Sequence, residues 1–224
     1  PVTKATYVGR ETNAAWRAEA AVRIEQHRKG DLNIQVVDAQ GQAADSAAVT
    51  VEFQKHAYHF GSVVVPEYIL GTNADSIKYR ETVLEMFNQS GTENATKWKA
   101  WIGEFGPSLT PDKAIPTIQW LQNNDIYTRG HVMVWPSLNK LPNLVTPFLA
   151  GGDPSGVDPV VKQMVLDHIE DIATNTAPYT QEWDVLNEPY ANHLLMDAFG
   201  DQVMVDWFDQ ARQFLPTQKL YIND

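Results

Sequence analysis

Apolar residues near the start of the chain recur with the period of a helix. Between residues 11 and 28, Trp16, Ala20 and Ile24 are separated by charged and small residues, which places them on one face of a helix. Gly30 follows as a stop signal. The pattern predicts one exposed amphipathic helix.

The next stretch changes from a helical to a strand-like pattern. Residues 32–37 and 49–53 alternate apolar and polar side chains, and the turn sequence Asp38-Ala39-Gln40-Gly41 lies between them. Alternation bounded by turn residues predicts two β-strands. Residues 1–57 are therefore predicted to form a small helix-plus-β module.

From residue 58 onward, short apolar runs alternate with helical patterns. Strict alternation of strands and helices predicts parallel βαβ units, which fit half of a doubly wound sheet or most of a (β/α)₈ barrel. No glycine-rich phosphate loop follows any of the strands, which disfavours nucleotide binding. The predicted strands are residues 60–65, 92–98 (strand and turn), 126–135, 182–187 and 219–223, and the predicted helices are 76–87, 111–122, 158–174 and 202–214.

Composition narrows the function classes. The 224 residues are 43% hydrophobic and 10% aromatic, which excludes intrinsic disorder. A net charge of −11, from 17 Lys and Arg against 28 Asp and Glu, disfavours nucleic acid and anionic membranes as partners. No apolar run approaches the roughly 18 residues of a membrane-spanning helix, and the first six residues do not resemble a signal peptide.

Cofactor chemistry has little support in the sequence. The chain has no Cys, which excludes disulfides, thiol catalysis and thiolate metal ligands. Its six His are scattered, and no zinc or calcium motif occurs. We expect neither a metal site nor a cofactor.

Polar and aromatic residues gather where the predicted strands end. In a barrel, active sites are built at the carboxyl ends of the strands, so clusters at successive ends would converge on one pocket. The four clusters are Glu93-Asn94 with Lys97-Trp98, Arg129-Gly130-His131 with Trp135, Asn187-Glu188-Pro189, and Asn223-Asp224.

Each of these residues has a structural as well as a functional interpretation. Glu188 is placed to donate a proton to a leaving group, with Asn187 holding a substrate hydroxyl, but Glu188 could equally cap a helix. His131 alone is more often a hydrogen-bonded core histidine, and Lys97 could form a surface ion pair with Glu93. The spacing leaves these alternatives open.

Four motifs in order resemble glycoside hydrolase family 10, the β-xylanases. The resemblance covers roughly residues 60–224, and residues 23–61 are similar to a module that precedes the barrel in a bacterial branch of the family. The motifs are Glu93-Asn-Ala-Thr-Lys97-Trp98, Arg129-Gly-His-Val-Met-Val-Trp135, Trp183-Asp-Val-Leu-Asn-Glu188 and Leu220-Tyr-Ile-Asn-Asp224.

The resemblance implies a TIM barrel over residues 58–224 and retaining hydrolysis of β-1,4-xylan, with Glu188 as general acid/base. It implies that Asn187 binds the sugar 2-hydroxyl and that Glu93, Asn94 and Lys97 hold xylose units on the non-reducing side. His131 and Trp135 would wall the sugar at the cleavage point. The implied partner is a polysaccharide, and the implied location is secreted or periplasmic, in a bacterium, with the signal peptide outside this chain.

Two departures from the family pattern affect these expectations. Pro136 stands where xylanases usually have a His that lies beside the catalytic pair. The family's nucleophilic Glu follows the seventh strand, whereas this chain is predicted to have five, so we expect an incomplete barrel, inactive alone, with its nucleophile outside the chain. The alternatives are a non-catalytic carbohydrate-binding protein or fragment, and a retaining β-glycanase acting on another polysaccharide.

Overall fold

The computed structural model describes residues 7–44 and 46–224; residues 1–6, at the start of the predicted N-terminal module, and residue 45 lie outside the described residues. The chain divides into two compact units, one ending at Phe53 and one running from Gln54 to Asp224. The predicted boundary between residues 57 and 58 stays a prediction.

The N-terminal unit contains the predicted helix but not the predicted strands. Helix α1 spans Ala15–His27. Residues 32–37 and 49–53 form no strand; Val37 and Ala43 make a single antiparallel bridge around the turn. The strand prediction was wrong because alternation needs a second layer to bury its apolar face, and Leu32 and Phe53 stay 70% and 76% exposed.

The unit from Gln54 to Asp224 is an α/β domain built on one five-stranded parallel sheet. Each strand pairs with the next one in the sequence, as in an α/β barrel, and helices connect them. In chain order the elements are β1 Gly61–Val64, α2 Pro66–Leu70, α3 Ala74–Met86, β2 Gln89–Thr92, α4 Trp98–Trp101, α5 Pro111–Asn123, β3 Tyr127–Val134, α6 Val160–Thr176, β4 Glu182–Asn187, α7 Leu194–Phe199, α8 Gln202–Phe214 and β5 Lys219–Asn223.

Most predicted elements agree with these bounds to within two residues, and β2 is the exception. This strand ends at Thr92, where the sequence pattern predicted it to begin. Its four residues, Gln89-Ser-Gly-Thr92, are small or polar, so no apolar run marks them. Gly91 is required there because a Cβ would lie 2.1 Å from the carbonyl oxygen of Arg129 on β3.

The main hydrophobic core lies between the sheet and its helices. Trp183 and Val185 on β4 are fully buried against Ile169 and Ile172 of α6 and Trp207 of α8. Burying each such aliphatic side chain contributes about 1.5–3 kcal/mol. Every residue of β4 is buried, and the strand therefore provides a rigid base for the residue that follows it.

Candidate active site at the carboxyl ends of the strands

A predicted site residue follows each of three neighbouring strands without a spacer. Glu93 comes directly after β2, Trp135 after β3 and Glu188 after β4. Parallel strands point their carboxyl ends the same way, so the three side chains are carried at one end of the sheet.

The backbone of Glu188 is held on both sides. Its N–H donates to the carbonyl oxygen of Asn223 at 2.6 Å, and its carbonyl oxygen accepts from the N–H groups of Ala191 and Asn192 at 3.2 and 2.9 Å. Its φ of 51° lies in the left-handed region, which a non-glycine residue adopts only under tertiary constraint. Asn192 Nδ2 donates to Oε2 at 3.2 Å, while no described residue bonds to Oε1. The carboxyl group is thus anchored through one oxygen, which leaves the other for a proton or a ligand.

Asn187, which directly precedes Glu188, is buried. Only 1% of its surface is exposed, and its side-chain oxygen accepts a hydrogen bond from Asn223 Nδ2 at 2.6 Å. The bond joins the ends of β4 and β5 and fixes which way the Asn187 amide faces.

Lys97 lies within the electrostatic reach of several predicted site residues. Its ammonium donates to Asn94 Oδ1 at 2.8 Å. Burial lowers the pKa of Lys97 and the nearby charge of Lys140 lowers it further, whereas Glu93 and Glu188 act in the opposite direction. The surface ion pair of Lys97 with Glu93 that the sequence left open is not formed among the described residues.

His131 is held by a buried carboxylate on the neighbouring strand. The register pairs His131 of β3 with Asp184 of β4, and His131 Nδ1 lies 2.9 Å from Asp184 Oδ2. A donor hydrogen bond from Nδ1 fixes the tautomer and leaves Nε2 for another partner. A second hydrogen bond, from Thr96 Oγ1 to the His131 carbonyl oxygen at 2.6 Å, fixes the backbone.

Asp184 also forms an ion pair with the guanidinium of Arg129. Arg129 Nε lies 3.1 Å from Asp184 Oδ1, a second nitrogen bonds the same oxygen, and Nη1 lies 3.4 Å from Glu182 Oε1. Burial of Asp184 opposes its ionisation, but the hydrogen bonds from His131 and Arg129 outweigh it and lower the pKa of this carboxyl. Asp184 is therefore an anion at neutral pH and joins Arg129 to His131.

The sequence reasoning did not assign roles to Asp184 and Glu182. The available signal was the period of two: Arg129 and His131 on one strand, and Glu182 and Asp184 on the next, point to the same face. The Arg129 guanidinium also lies 4.4 Å from the centre of the Tyr221 ring, which extends the network to β5.

The predicted site residues line two clefts. Glu93 and His131 line one together with Arg129, Asp184 and Asn223. Asn94, Lys97 and Trp135 line the other. Glu188 and Asn187 line neither cleft. Asn187 is hydrogen-bonded to Asn223, which lines the first cleft, and the charge of Glu188 acts on Lys97, which lines the second.

Trp135 is half-buried and lies against two cations. The ammonium groups of Lys140 and Lys97 are 4.1 and 5.4 Å from its ring centre. Pro136, which stands where the family usually has His, is buried. In the loop that follows Pro136, the side chain that approaches the Trp135 ring is that of Lys140.

Neither a metal cluster nor a membrane span is found in the part of the chain that the structure describes. No group of three or more His, Cys, Asp or Glu side chains there could hold a metal ion. No helix within those residues is long and apolar enough to cross a membrane.

Comparison with known proteins matches most of the chain to one family. The family model described as "Glycosyl hydrolase family 10" matches residues 49–224. Similar proteins include the anti-sigma-I factor RsgI6 of Acetivibrio thermocellus, 24% identical over 100% of this chain and 28% of its own length. Endo-1,4-beta-xylanase 1 of Arabidopsis thaliana is 22% identical over 88% of this chain and 19% of its own length.

Solved structures agree on the fold. Native xylanase 10B from Thermotoga maritima matches with a TM-score of 0.60 and 23% identity, covering 74% of this chain and 50% of that one. A mutant of xylanase A from P fluorescens subsp. cellulosa, in complex with xylopentaose, matches with a TM-score of 0.57 and 23% identity, covering 75% of this chain and 51% of that one. The α/β-barrel fold predicted from the sequence is confirmed. The chain spans about half the length of these structures and less than a third of the two relatives named above.

Proposed function

The chain belongs to glycosyl hydrolase family 10, and from that premise we propose that the protein hydrolyses internal β-1,4-xylosidic bonds of xylan with retention of configuration. Glu188 is its general acid/base. The observation that carries this proposal is the fixed backbone of Glu188 at the carboxyl end of β4, with one carboxyl oxygen bonded to Asn192 and the other free of described partners. A proton donor needs that combination of fixed position and open access.

The other predicted residues are proposed to bind the sugar chain. Asn94 and Lys97 are bonded to each other beside Trp135, which supports a shared role in holding xylose units, and Glu93 is exposed nearby. His131, whose tautomer is fixed by Asp184, and Trp135 are proposed to contact the sugar at the cleavage point from its sides. Asn187 is proposed to bind the 2-hydroxyl.

The retaining mechanism needs a second carboxylate about 5 Å from the acid. The proposal assigns no residue of the chain to that nucleophile. Glu93, the other carboxylate whose charge reaches Lys97, is assigned to substrate binding.

The experiment compares two substrates on the polypeptide encoded by the complete reading frame that contains residues 1–224. Glu188→Ala should slow the release of sugars from xylan far more than hydrolysis of an aryl xylobioside whose activated leaving group needs no protonation. Glu85→Ala, at an exposed position of α3, is the matched control and should change neither rate. Equal losses on the two substrates would remove Glu188 from the acid role, and an unaltered protein that releases no sugar from xylan would reject the activity.

A second candidate is a carbohydrate-binding protein without catalysis. One observation favours it: the relative that matches 100% of this chain is named as an anti-sigma factor rather than as an enzyme. Binding of xylo-oligosaccharides without hydrolysis by the complete polypeptide would select this candidate. A panel of β-glycans in the same assay separates xylanase activity from activity on another polysaccharide.

Secretion and domain division complete the proposal. A polysaccharide too large to enter a cell requires a secreted or periplasmic enzyme, and the proposed host is a bacterium. Residues 1–57 are proposed as an N-terminal module and residues 58–224 as the barrel. Cell fractionation with an antibody to the native protein tests the location.

A further inference from the structure

The cleft beside Trp135 has an unusual charge for this protein. Acidic residues outnumber basic ones by 28 to 17 in the whole chain, yet this cleft is lined by three lysines and by no carboxylate. Its polar lining consists of Asn94, Lys97, Lys99, Asn139 and Lys140, and its aromatic lining of Trp98, Phe105 and Trp135. Because the charged side chains that line this cleft are all positive, the cleft offers a local binding site for an anion in an otherwise acidic protein.

These lysines differ in their partners from four of the six other described lysines; Lys162 and Lys219, like them, form no ion pair among the described residues. Within the described chain Lys29, Lys55, Lys78 and Lys113 each form an ion pair with a carboxylate. The three lysines of the cleft form none there, and instead contact Asn94, the backbone of Asn139 and the ring of Trp135. Both Lys97 and Lys140 lie near the Trp135 ring. After burial, the charge of Lys140 is the next cause that lowers the pKa of Lys97, against the opposite effect of Glu93 and Glu188, so the two cations are close enough to repel each other. An anion between them would relieve that repulsion.

The loop that carries Lys140 is held by a second lysine of the cleft, Lys99. The ammonium of Lys99 donates to the carbonyl oxygen of Asn139 at 2.9 Å, and the N–H of Lys140 donates to the carbonyl oxygen of Ser137 at 3.0 Å. The next residue, Leu141, is 1% exposed and anchors the loop in the core. Lys140 is therefore held near Trp135 before any ligand arrives, which reduces the entropy lost on binding.

We propose that Lys140, together with Lys97, forms a cationic subsite that binds the carboxylate of a hexuronic acid branch on the polysaccharide. Lys97 is also proposed, with Asn94 and Trp135, to hold the neutral sugar chain, so Lys140 extends that binding surface to an acidic branch within one continuous cleft. The inference rests on the proposed function, because it takes the ligand to be a substituted β-glycan. Lys140 is thereby assigned a contact that an acidic chain makes and a neutral chain, which has no carboxylate, does not.

The test is isothermal titration calorimetry, with two ligands, of the complete polypeptide carrying Glu188→Ala, so that the oligosaccharides are not hydrolysed during the titration. One is a xylo-oligosaccharide with a single hexuronic acid branch, and the other is the same molecule after its carboxyl group has been reduced to an alcohol. We expect the acidic ligand to bind about tenfold more tightly, in keeping with one charge-assisted contact. Added salt should reduce that ratio because it screens exposed charges.

Three variants identify the residue responsible. Lys140→Gln should bring the ratio of the two dissociation constants close to one, and Lys140→Arg should restore most of it. The matched control is Lys162→Gln, which removes a lysine that also lies over an aromatic ring, 4.9 Å from the centre of Phe199, outside the cleft. This control should leave the ratio unchanged.

The outcomes separate this inference from the proposed function. Equal affinity for the two ligands in the polypeptide with Lys140 unchanged would overturn the subsite and leave the proposed function standing. A ratio that survives Lys140→Gln would overturn the role of Lys140. Failure to bind either oligosaccharide would overturn the subsite and the binding roles on which it rests.

Discussion

Asp184 connects a buried charge network to a residue of the proposed sugar site. It bonds His131 on one oxygen and Arg129 on the other, and only 3% of its surface is exposed. Removing its charge leaves Glu182 as the one described carboxylate that bonds Arg129 and removes the anion that holds the His131 ring. Because the pKa of Asp184 lies below its ordinary value of 3.8, this stabilisation is fully present above that pH and is lost as the pH falls through the lowered pKa.

The first prediction concerns the substitution Asp184→Asn. We expect it to lower the free energy of unfolding at pH 7 by about 2 kcal/mol or more, because one partner of a buried ion pair is removed. Asp197→Asn is the matched control, since Asp197 bonds the exposed His193 at 2.5 Å. Urea unfolding of both variants measures the difference, and similar losses in the two would show that burial of the Asp184 network adds nothing.

His168 provides the second residue-scale prediction. Burial lowers its pKa from 6.5 to about 3, and its ring stacks on Trp98 with centres 4.3 Å apart. The unfolded chain takes up a proton near pH 6.5 and the folded chain does not, so stability falls as the pH falls from about 6.5 towards 3. One such histidine costs about 2 kcal/mol between pH 7 and pH 5.

Chemical denaturation at those two pH values measures this loss. His168→Phe keeps the stacking and removes the titration, so its stability should fall by about 2 kcal/mol less over the same interval. Equal losses in the variant and the unaltered protein would mean that the histidine is protonated in the folded state.

At the scale of elements, the contact between β3 and β4 depends on one missing side chain. A Cβ on Gly130 would lie 2.1–2.4 Å from three ring atoms of Trp183, which is fully buried. Gly130→Ala should therefore destabilise the protein by about 3 kcal/mol or more, because neither strand has room to move. Gly30→Ala, where nothing lies within 4 Å of the added atom, is the control and should change the melting temperature little. A melting temperature that Gly130→Ala leaves unchanged would contradict this packing.

The same elements explain what the sequence could predict. Strands β3, β4 and β5 carry apolar runs between turn residues, and their bounds were predicted to within one residue. Strand β2 was misplaced because its small polar residues are selected by close backbone approach at Gly91 rather than by burial of apolar surface. The alternation of strands and helices predicts that the carboxyl ends of neighbouring strands lie together. The location of Glu188 and Trp135 at those ends could therefore be predicted from the sequence.

The interactions between strands could not be predicted in this way. The pairing of His131 with Asp184 depends on the register of β3 against β4, and that register shifts between His131 and Val134. The approach of Lys140 to Trp135 depends on a loop held by Lys99, which lies 40 residues earlier in the chain. Such contacts are set by tertiary packing, and no local pattern encodes them.

At the scale of the whole molecule, burial is graded across the sheet. All six residues of β4 are buried, whereas three of four in β1 and two of five in β5 are exposed. Strands β1 and β5 each pair with a single described strand. Hydrogen exchange on residues 1–224 should therefore show the slowest amides in β4 and the fastest strand amides in β1, because local opening costs least where little surface is buried. Uniform protection across the five strands would contradict this gradient.

The left-handed backbone of Glu188 has a consequence for how this protein would evolve. A side chain at φ 51° costs about 1–2 kcal/mol, and glycine adopts the same conformation at little cost. Glu188→Gly should therefore melt at a higher temperature than Glu188→Ala, although both lose the proposed acid. A laboratory selection for heat resistance alone would drive this position towards glycine, whereas added selection for the proposed hydrolytic activity would keep the glutamate.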